Sequence, residues 1–201
     1  EDHIGSLPYV LKEVNVPIYG TKLTIGIVKT KLEEHNLLSE VKLHNVEAGD
    51  IIKFDKFKVE FIRNTHSIAD SCSLAIFTPV GTILHTGDFK IDYTPIDGET
   101  MDLQRISNLG KEGVTLLMAD STNVERKGHS LSEKSIGHTL DRIISKARGR
   151  VIVATFASNI HRMQQIVDAS IKNKRKVVFN GRSMENISKV AMELGYLHIP
   201  E

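Results

Sequence analysis

The sequence predicts an α/β protein, and two patterns carry that prediction. Between residues 57 and 90, short apolar stretches have the alternation of β-strands and are separated by turn residues. From residue 130 onwards, helical spacing alternates with short apolar runs, which is the pattern of parallel α/β units. With 201 residues and 40% hydrophobic content, the chain can bury a substantial core, in one domain or in parts of two.

The first half of the chain is predicted to begin with a helix, a strand and a second helix. Apolar residues at helical spacing indicate the helices, over residues 5–14 and 21–36, and a strand over 16–19 lies between them. Turn residues then bound a series of strands over 40–46, 51–54, 57–64, 73–78 and 82–85. The strands at 40–46 and 51–54 are expected to be neighbours. A polar loop over 91–100 and a helix over 102–111 follow.

The second half is predicted to consist of buried strands that alternate with helices. A continuous apolar run over 114–119 predicts a strand buried on both faces. A capping box from Ser130 to Glu133 opens a helix. Strands over 151–156 and 176–180 each lead into a further helix, the last of which is closed by Gly195. We expect a second domain to begin in this half.

Two side chains with the chemistry of metal ligands lie directly after predicted strands. His66 follows the strand at 57–64, and Asp88 follows the strand at 82–85 within Thr86-Gly87-Asp88. A strand end holds a side chain rigidly while leaving it open to a cleft, as a metal ligand or a general base requires. For any one such residue, a buried hydrogen bond or a turn cap is the commoner explanation.

The beginning of the chain and three later segments favour the functional explanation. Asp2-His3-Ile4-Gly5 resembles the second half of the metallo-β-lactamase signature His-x-His-x-Asp-His-x-Gly, and His66 and Asp88 follow in the order of that superfamily's metal ligands. Asp120-Ser121-Thr122-Asn123 resembles motif A of the β-CASP nucleases, the branch that works on nucleic acids. The segments Ala-Thr-Phe-Ala-Ser-Asn-Ile-His-Arg (154–162) and Gly-Arg-Ser-Met (181–184) closely resemble the ribonuclease J family of that branch.

This resemblance implies a fold and a division into domains. Residues 1–128 would be the central part of a metallo-β-lactamase-type αββα sandwich, and residues 129–201 the first part of a parallel α/β β-CASP domain. The two leading histidines of the signature and the later histidines of the family are absent from the sequence. We therefore expect the chain to be the central part of a longer enzyme and to be inactive as a nuclease by itself.

The resemblance also implies a metal-dependent ribonuclease with 5′–3′ exonuclease and endonuclease activity. Asp2, His3, His66 and Asp88 would be four of the ligands of two divalent metal ions, with Asp88 bridging the two. Such ligands suit zinc, with manganese as the alternative. Asp120 would orient a later histidine rather than bind metal, and Asp2, Asp88 and Asp120 are the predicted catalytic residues. Two adjacent metal ions supply the hydroxide and the charge neutralisation that phosphodiester cleavage requires.

The predicted RNA contacts lie at two strand-to-helix turns. Ala157, Ser158 and Asn159 form the first turn, and Arg182 and Ser183 form the second. Exposed backbone amides, the helix dipole and short polar side chains at such turns suit a phosphate. An ordinary helix N-cap would use the same residue types, and this alternative stays open, above all for the second turn.

Composition limits the partners and the compartment. Lys and Arg number 26 against 25 Asp and Glu, a net charge of +1, so any RNA contact must use local patches. The single Cys72 excludes an internal disulfide and favours a reducing, cytoplasmic compartment. No apolar run approaches the length of a membrane span. The family resemblance implies RNA as substrate, and a second copy or a paralogue as partner through regions mostly outside this chain.

Two other classes of function remain open from the sequence. A metallo-β-lactamase-fold hydrolase of a small ester or thioester would explain Asp2-His3, His66 and Asp88, but not the β-CASP-like segments. A non-catalytic scaffold that binds RNA or protein would keep the fold without the chemistry. An RNA cleavage assay separates the three, because a ribonuclease alone shortens RNA.

Overall fold

The computed structural model describes residues 3–200, and within that range the chain forms six helices and seven strands. The prediction of an α/β protein is therefore confirmed. No helix in this range combines the length and the apolar character needed to cross a membrane. The helices are α1 (Leu7–Glu13), α2 (Lys22–Glu34), α3 (Leu103–Glu112), α4 (Glu133–Lys146), α5 (Ile160–Lys172) and α6 (Arg182–Glu193). The strands are β1 (Ile18–Thr21), β2 (Leu43–Val46), β3 (Ile51–Phe54), β4 (Phe57–Arg63), β5 (Cys72–Thr78), β6 (Gly81–His85) and β7 (Leu116–Met118).

The described strands form two sheets. β1 and β2 make a parallel pair, with Ile18 opposite Leu43. The other sheet has the order β3-β4-β5-β6-β7 and is antiparallel except for the parallel pair of β6 and β7. The predicted adjacency of the strands at 40–46 and 51–54 is wrong, because β2 pairs with β1 and β3 pairs with β4.

Strand direction in the five-stranded sheet decides where the polar segments after the strands are placed. β5 is antiparallel to both of its neighbours, and β7 is parallel to β6. β4, β6 and β7 therefore run in the same direction, and their carboxyl ends lie at one edge of the sheet. His66, Asp88 and Asp120 follow these three strands.

The chain divides into two compact units, and each is described by itself. The first contains the described residues up to Val46, Ser67–Ala69 and the described residues from Gly137 onwards, and the second contains Glu47–His66 and Asp70–Ile136. The domain boundary predicted between residues 128 and 129 comes from the family resemblance, whereas these units are defined by how compactly the chain folds. The predicted boundary therefore stays a prediction.

The first unit has two apolar clusters. One fixes α1 against α2 through Leu11, Val28, Leu32 and Leu37, each less than 9% exposed. The other joins α2, α5 and α6 through Leu23, Ala69, Ile160, Met163, Ile187, Ala191 and Leu197. The backbone of α2 approaches α6 closely at Gly26, where an added Cβ would lie 2.8 Å from the side chains of Val190 and Leu194.

In the second unit, α3 packs on the five-stranded sheet. Ile62, Ala75, Leu84 and Leu109 form the apolar cluster there. An ion pair adds to this packing, because Arg105 of α3 donates to both carboxylate oxygens of Glu60 on β4, over 2.7 and 2.9 Å. Glu60 is only 8% exposed, so the pair fixes α3 against the sheet.

Three segments that the sequence predicts to be buried strands are exposed in the structure. β7 is shorter than the predicted 114–119, and its residues are 48–59% exposed. Residues 151–156 and 176–180 form no strand, and Ile152, Phe156 and Val178 are 84–88% exposed. The strand predicted over 114–119 is therefore confirmed as β7, which pairs with β6, and only its burial was wrong. The strands predicted over 151–156 and 176–180 were wrong, because an apolar run becomes a strand only beside a partner strand and none within residues 3–200 pairs with either segment.

Candidate metal centre and RNA-binding turns

His66 and Asp88 come together at the carboxyl edge of the five-stranded sheet. Nε2 of His66 lies 3.8 Å from Oδ2 of Asp88, and the two side chains are 33% and 39% exposed. This separation is too long for a hydrogen bond. It is close to the separation of about 3.0–3.5 Å between two ligands of one ion bound at about 2.1 Å. The structure thus brings together the nitrogen and oxygen donors that the sequence placed 22 residues apart.

A buried hydrogen-bond network holds the loop that carries Asp88. Nδ2 of Asn64 donates to the backbone oxygens of Thr86 and Asp88, over 2.9 and 3.0 Å. Oγ of Ser73 donates to the same Thr86 oxygen over 2.7 Å. Gly87 has a φ of +61°, in the left-handed region that favours glycine. The sequence analysis predicted no role for Asn64 or Ser73. The available signal was that Asn64 lies two residues before His66 and that Ser73 is a polar residue within the apolar strand β5.

Asp120 is bonded to the same loop. Its backbone nitrogen donates to Oγ1 of Thr86 over 3.0 Å, and its Oδ2 accepts from the backbone nitrogen of Phe89 over 3.4 Å. Its Oδ1 accepts from the backbone nitrogen and from Oγ1 of Thr122. The two Thr122 bonds, with smaller contributions from Phe89 and His66, lower the pKa of Asp120 against the opposing effect of burial. Asp120 is therefore an anion whose oxygens already accept hydrogen bonds, and its role in orienting a histidine stays a prediction.

Donor chemistry decides what His66 and Asp88 can hold. Imidazole nitrogen and carboxylate oxygen suit zinc, and carboxylate also suits manganese. Within residues 3–200, no group of three or more His, Cys, Asp or Glu side chains could hold a metal ion by itself, so the pair supplies only part of a ligand set. Asp2 lies outside the described residues, and His3 lies in an exposed turn of the first unit.

The turn before α5 contains Ala157, Ser158 and Asn159. Oδ1 of Asn159 accepts from the backbone nitrogen of Arg162 over 3.0 Å, so Asn159 is the N-cap of α5. Ala157 is half-buried against the cluster that joins α2, α5 and α6, and Ser158 is half-buried as well. Because the cap uses the amide oxygen of Asn159, only its amide nitrogen is left to donate to a phosphate, and the residue is buried, with 9% of its surface exposed.

The turn before α6 is less suited to a phosphate. Gly181 is the N-cap, with a φ of +109° and no capping side chain, and Arg182 and Ser183 are the first helical residues. Arg182 is exposed, and its Nη2 lies 3.1 Å from Oε1 of Glu34. This carboxylate competes with any phosphate for the guanidinium. Both turns belong to the first unit, whereas His66, Asp88 and Asp120 belong to the second.

Sequence reasoning missed a second polar network beyond Asp88. The carboxylate of Asp92 accepts from the backbone nitrogens of Thr94 and Glu133, over 3.0 and 3.1 Å, and lies 3.9 Å from Nζ of Lys90. Burial raises the pKa of Asp92, but these partners together bring it below its ordinary value. α4 begins at Glu133, so the capping box expected from Ser130 is not formed. Instead, Asp92 accepts a hydrogen bond from the backbone nitrogen of Glu133, the first residue of the helix. The Asp-x-Thr sequence of an Asx turn was the available signal.

The environment of Cys72 makes it a poor nucleophile. The pKa of Cys72 is raised from 9.0 to about 11, mainly by burial and to a smaller extent by Asp70, with Arg63 partly offsetting both. The thiolate is the reactive form, so at pH 8 it should be about 100-fold scarcer than on an ordinary cysteine. We expect the rate of alkylation by iodoacetamide to rise about tenfold per pH unit up to about pH 10. A rate that levels off near pH 9, as for free cysteine, would contradict this prediction.

Comparison with known proteins identifies relatives along the whole chain. Residues 148–201 match the family model described as "Ribonuclease J, beta-CASP domain". The chain is 49% identical to "Ribonuclease J" of Synechocystis sp. and 49% identical to "Ribonuclease J" of Thermus thermophilus. It is 48% identical to "Ribonuclease J" of Helicobacter pylori. In each case all of this chain is aligned, and it covers 32%, 36% and 29% of the relative, so it spans about a third of their length.

The fold also has a solved counterpart, a crystal structure of a protein of unknown function from Enterococcus faecalis V583. The two agree with a TM-score of 0.65 over 92% of this chain and 45% of that chain, at 20% sequence identity. At this identity the likeness shows the fold alone. The sequence relatives carry the family assignment, since they confirm the resemblance seen in the motifs from Asp2-His3 to Gly181-Arg182-Ser183-Met184. Along its whole length this chain is similar to proteins named ribonuclease J, and it corresponds to a fragment of about a third of their length.

Proposed function

We propose that this chain is the part of a metal-dependent ribonuclease that supplies several metal ligands and the first RNA contacts. The full-length protein that contains it, here called the parent enzyme, would hydrolyse RNA phosphodiester bonds as a 5′–3′ exonuclease and as an endonuclease. One observation carries the proposal. His66, Asp88 and Asp120 follow three strands that end at one edge of one sheet, in a chain whose relatives are named ribonuclease J.

In the proposed centre, His66 and Asp88 would hold divalent metal ions together with Asp2, His3 and residues outside this chain. When bound, zinc or manganese would supply a hydroxide at neutral pH and would offset the charge that develops on the phosphate. Asn64 keeps Asp88 in position through its bond to the Asp88 backbone oxygen. Asp120 would hold and orient a histidine from outside this chain rather than bind metal itself, and its oxygens already accept bonds from Thr122 and Phe89.

Ala157–Asn159 is the better supported of the two proposed phosphate contacts. α5 is 13 residues long, and its N-terminus carries the positive end of the helix dipole, while the backbone nitrogens of Ile160 and Arg162 already donate to Ser158 and Asn159. The amide nitrogen of Asn159 adds a side-chain donor at the same point. Arg182 and Ser183 offer a similar arrangement on α6, but the ion pair of Arg182 with Glu34 weakens it.

Asn159→Asp in the parent enzyme is expected to weaken RNA binding about tenfold, which corresponds to the loss of one charge-assisted hydrogen bond. Aspartate caps a helix as well as asparagine does, so α5 keeps its cap while the amide donor is replaced by an anion. The dissociation constant for RNA would be measured by fluorescence anisotropy at fixed salt, beside the metal content.

Asn108→Asp, at an exposed position of α3, adds the same charge and serves as the matched control. It should leave RNA affinity unchanged. If Asn159→Asp lost metal while its RNA affinity stayed the same, the assignment of this turn to RNA would be wrong.

The proposed function itself is tested by incubating the parent enzyme with RNA labelled at its 5′ end. We expect single nucleotides and internal cleavage products in the presence of Zn²⁺ or Mn²⁺, and none after chelation with EDTA. Hydrolysis of a small ester or thioester with no RNA shortening would favour the small-molecule hydrolase instead. RNA binding without cleavage of either substrate would favour the scaffold.

A further inference from the structure

Two basic segments of the first unit lie together where α4 and α5 end. Residues 146–150 and 172–176 contain seven of the 26 Lys and Arg residues. Arg175 joins the segments, because its Nη1 donates to the backbone oxygen of Gly149 over 2.7 Å and its Nη2 donates to that of Ala147. The rest of the chain has 19 basic against 25 acidic side chains, so the positive charge is concentrated here. This basic surface consists of Lys146, Arg148, Arg150, Lys172, Lys174, Arg175 and Lys176.

Three of the seven side chains have a structural explanation. Lys146 and Lys172 lie in the last turns of α4 and α5, where a cation interacts favourably with the helix dipole. Lys172 also pairs with Asp141 over 2.6 Å. Arg175 stabilises the contact between the two segments through its two carbonyl partners.

The other four side chains have no such explanation. Arg148, Arg150, Lys174 and Lys176 are all exposed. Within the part of the chain that the structure describes, no Asp or Glu carboxylate lies within ion-pair distance of any of them. Four like charges on two segments that Arg175 joins repel one another until a counter-charge binds. A basic patch on a chain of balanced net charge is the electrostatic mark of a polyanion site.

We infer that this basic surface binds the phosphate backbone of RNA, as a contact separate from the turn at Asn159. The inference rests on the proposed ribonuclease function and adds a second point of attachment for the substrate. α5 connects the two points, because Asn159 caps its first turn and Lys172 is its last residue. Thirteen residues of helix separate them by about 20 Å. An RNA long enough to reach both points would therefore be held at two sites along its backbone.

RNA fits this surface better than an acidic protein does. A nucleic acid strand presents phosphates at regular short intervals, which matches several cations in two adjacent segments. Arg148 and Arg150 also bring guanidinium groups, which pair with phosphate oxygens through two parallel hydrogen bonds. Such binding releases counterions and must weaken steeply as salt rises.

The test compares the 201-residue chain with a variant that carries R148Q, R150Q, K174Q and K176Q. Binding of fluorescent single-stranded RNAs of increasing length would be followed by anisotropy in EDTA over a range of salt concentrations. We expect the variant to bind the longer RNAs about tenfold or more weakly. The slope of log K against log salt should fall in magnitude by about 0.7 for each phosphate that the variant no longer neutralises.

A second quadruple variant, with K12Q, K22Q, K42Q and K189Q, removes the same charge from four exposed positions elsewhere in the first unit. We expect it to keep most of the affinity for RNA. The half variants R148Q/R150Q and K174Q/K176Q should each lose part of the affinity, which keeps the test decisive if the quadruple variant does not fold.

Three results would overturn the inference: equal affinities for the two quadruple variants, no RNA binding by the unaltered chain, or equal binding of poly-glutamate and RNA. The last would assign the surface to acidic proteins. Failure of the proposed function is distinguishable, because it would appear as a parent enzyme that does not cleave RNA although this surface binds it.

Discussion

Asp88→Ala in the parent enzyme is expected to lower the rate of RNA cleavage by roughly 10²–10⁴-fold, the equivalent of several kcal/mol of charge stabilisation. Asp88 lies 3.8 Å from His66 at the sheet edge, and its loop is fixed by the buried Asn64. Removing its carboxylate would take away a proposed metal ligand whose loop the fold holds in place. The initial rate on labelled RNA with saturating metal would be measured, beside the bound metal.

Asp97→Ala is the matched control, because Asp97 is an exposed carboxylate of the same unit and accepts a local bond from the backbone nitrogen of Glu99. It should leave the rate nearly unchanged. The cleavage rate of Asn64→Ala should lie between those of Asp88→Ala and Asp97→Ala. We expect it to be about 10–100-fold below the unaltered enzyme, as is usual when a residue that positions a metal ligand is removed. Substantial cleavage by Asp88→Ala would reject the assignment of the site.

Arg105→Met is expected to lower the free energy of unfolding of the chain by about 3–5 kcal/mol. Glu60 is 8% exposed, and Arg105 donates to both of its carboxylate oxygens. Without the guanidinium, a buried anion would be left uncompensated between α3 and β4. Urea unfolding followed by circular dichroism measures the change.

Arg63→Met supplies the comparison, since its ion pair with Glu99 is exposed on both sides, with side chains 43% and 61% exposed. Exposed pairs contribute about 0–1 kcal/mol. Adding Glu60→Gln to Arg105→Met should restore part of the stability, because the buried charge is then gone. A loss for Arg105→Met no larger than that for Arg63→Met would show that Glu60 is solvated once its partner is removed.

The central strands and the pair at their ends were predictable from the sequence. β4 alternates between apolar and polar residues, β5 is a short apolar run, and turn residues bound both of them and β6. The positions of these strands, and the residues that follow them, could therefore be predicted. From that, His66 and Asp88 at the ends of strands were a local inference. That the two side chains lie close together follows from strand direction, which only the structure shows. Because β5 lies between β4 and β6 and is antiparallel to both, β4 and β6 end at the same edge of the sheet.

What could not be predicted depends on partners. The apolar runs at 114–119 and 151–156 have the composition of buried strands, yet composition does not say whether a neighbouring strand is present to cover them. Hydrogen bonds between distant residues were equally hidden. Nothing in the local sequence of Asp92 points to Glu133, and nothing near Arg182 points to Glu34, because such pairs are set by how helices and loops meet.

Anomalous diffraction from crystals of the parent enzyme soaked in Mn²⁺ or Zn²⁺ would show directly whether His66 and Asp88 belong to one metal centre. We expect an anomalous peak about 2.0–2.2 Å from Nε2 of His66 and from the carboxylate of Asp88. Metal bound by other side chains, with His66 and Asp88 left without an ion, would contradict the proposed centre.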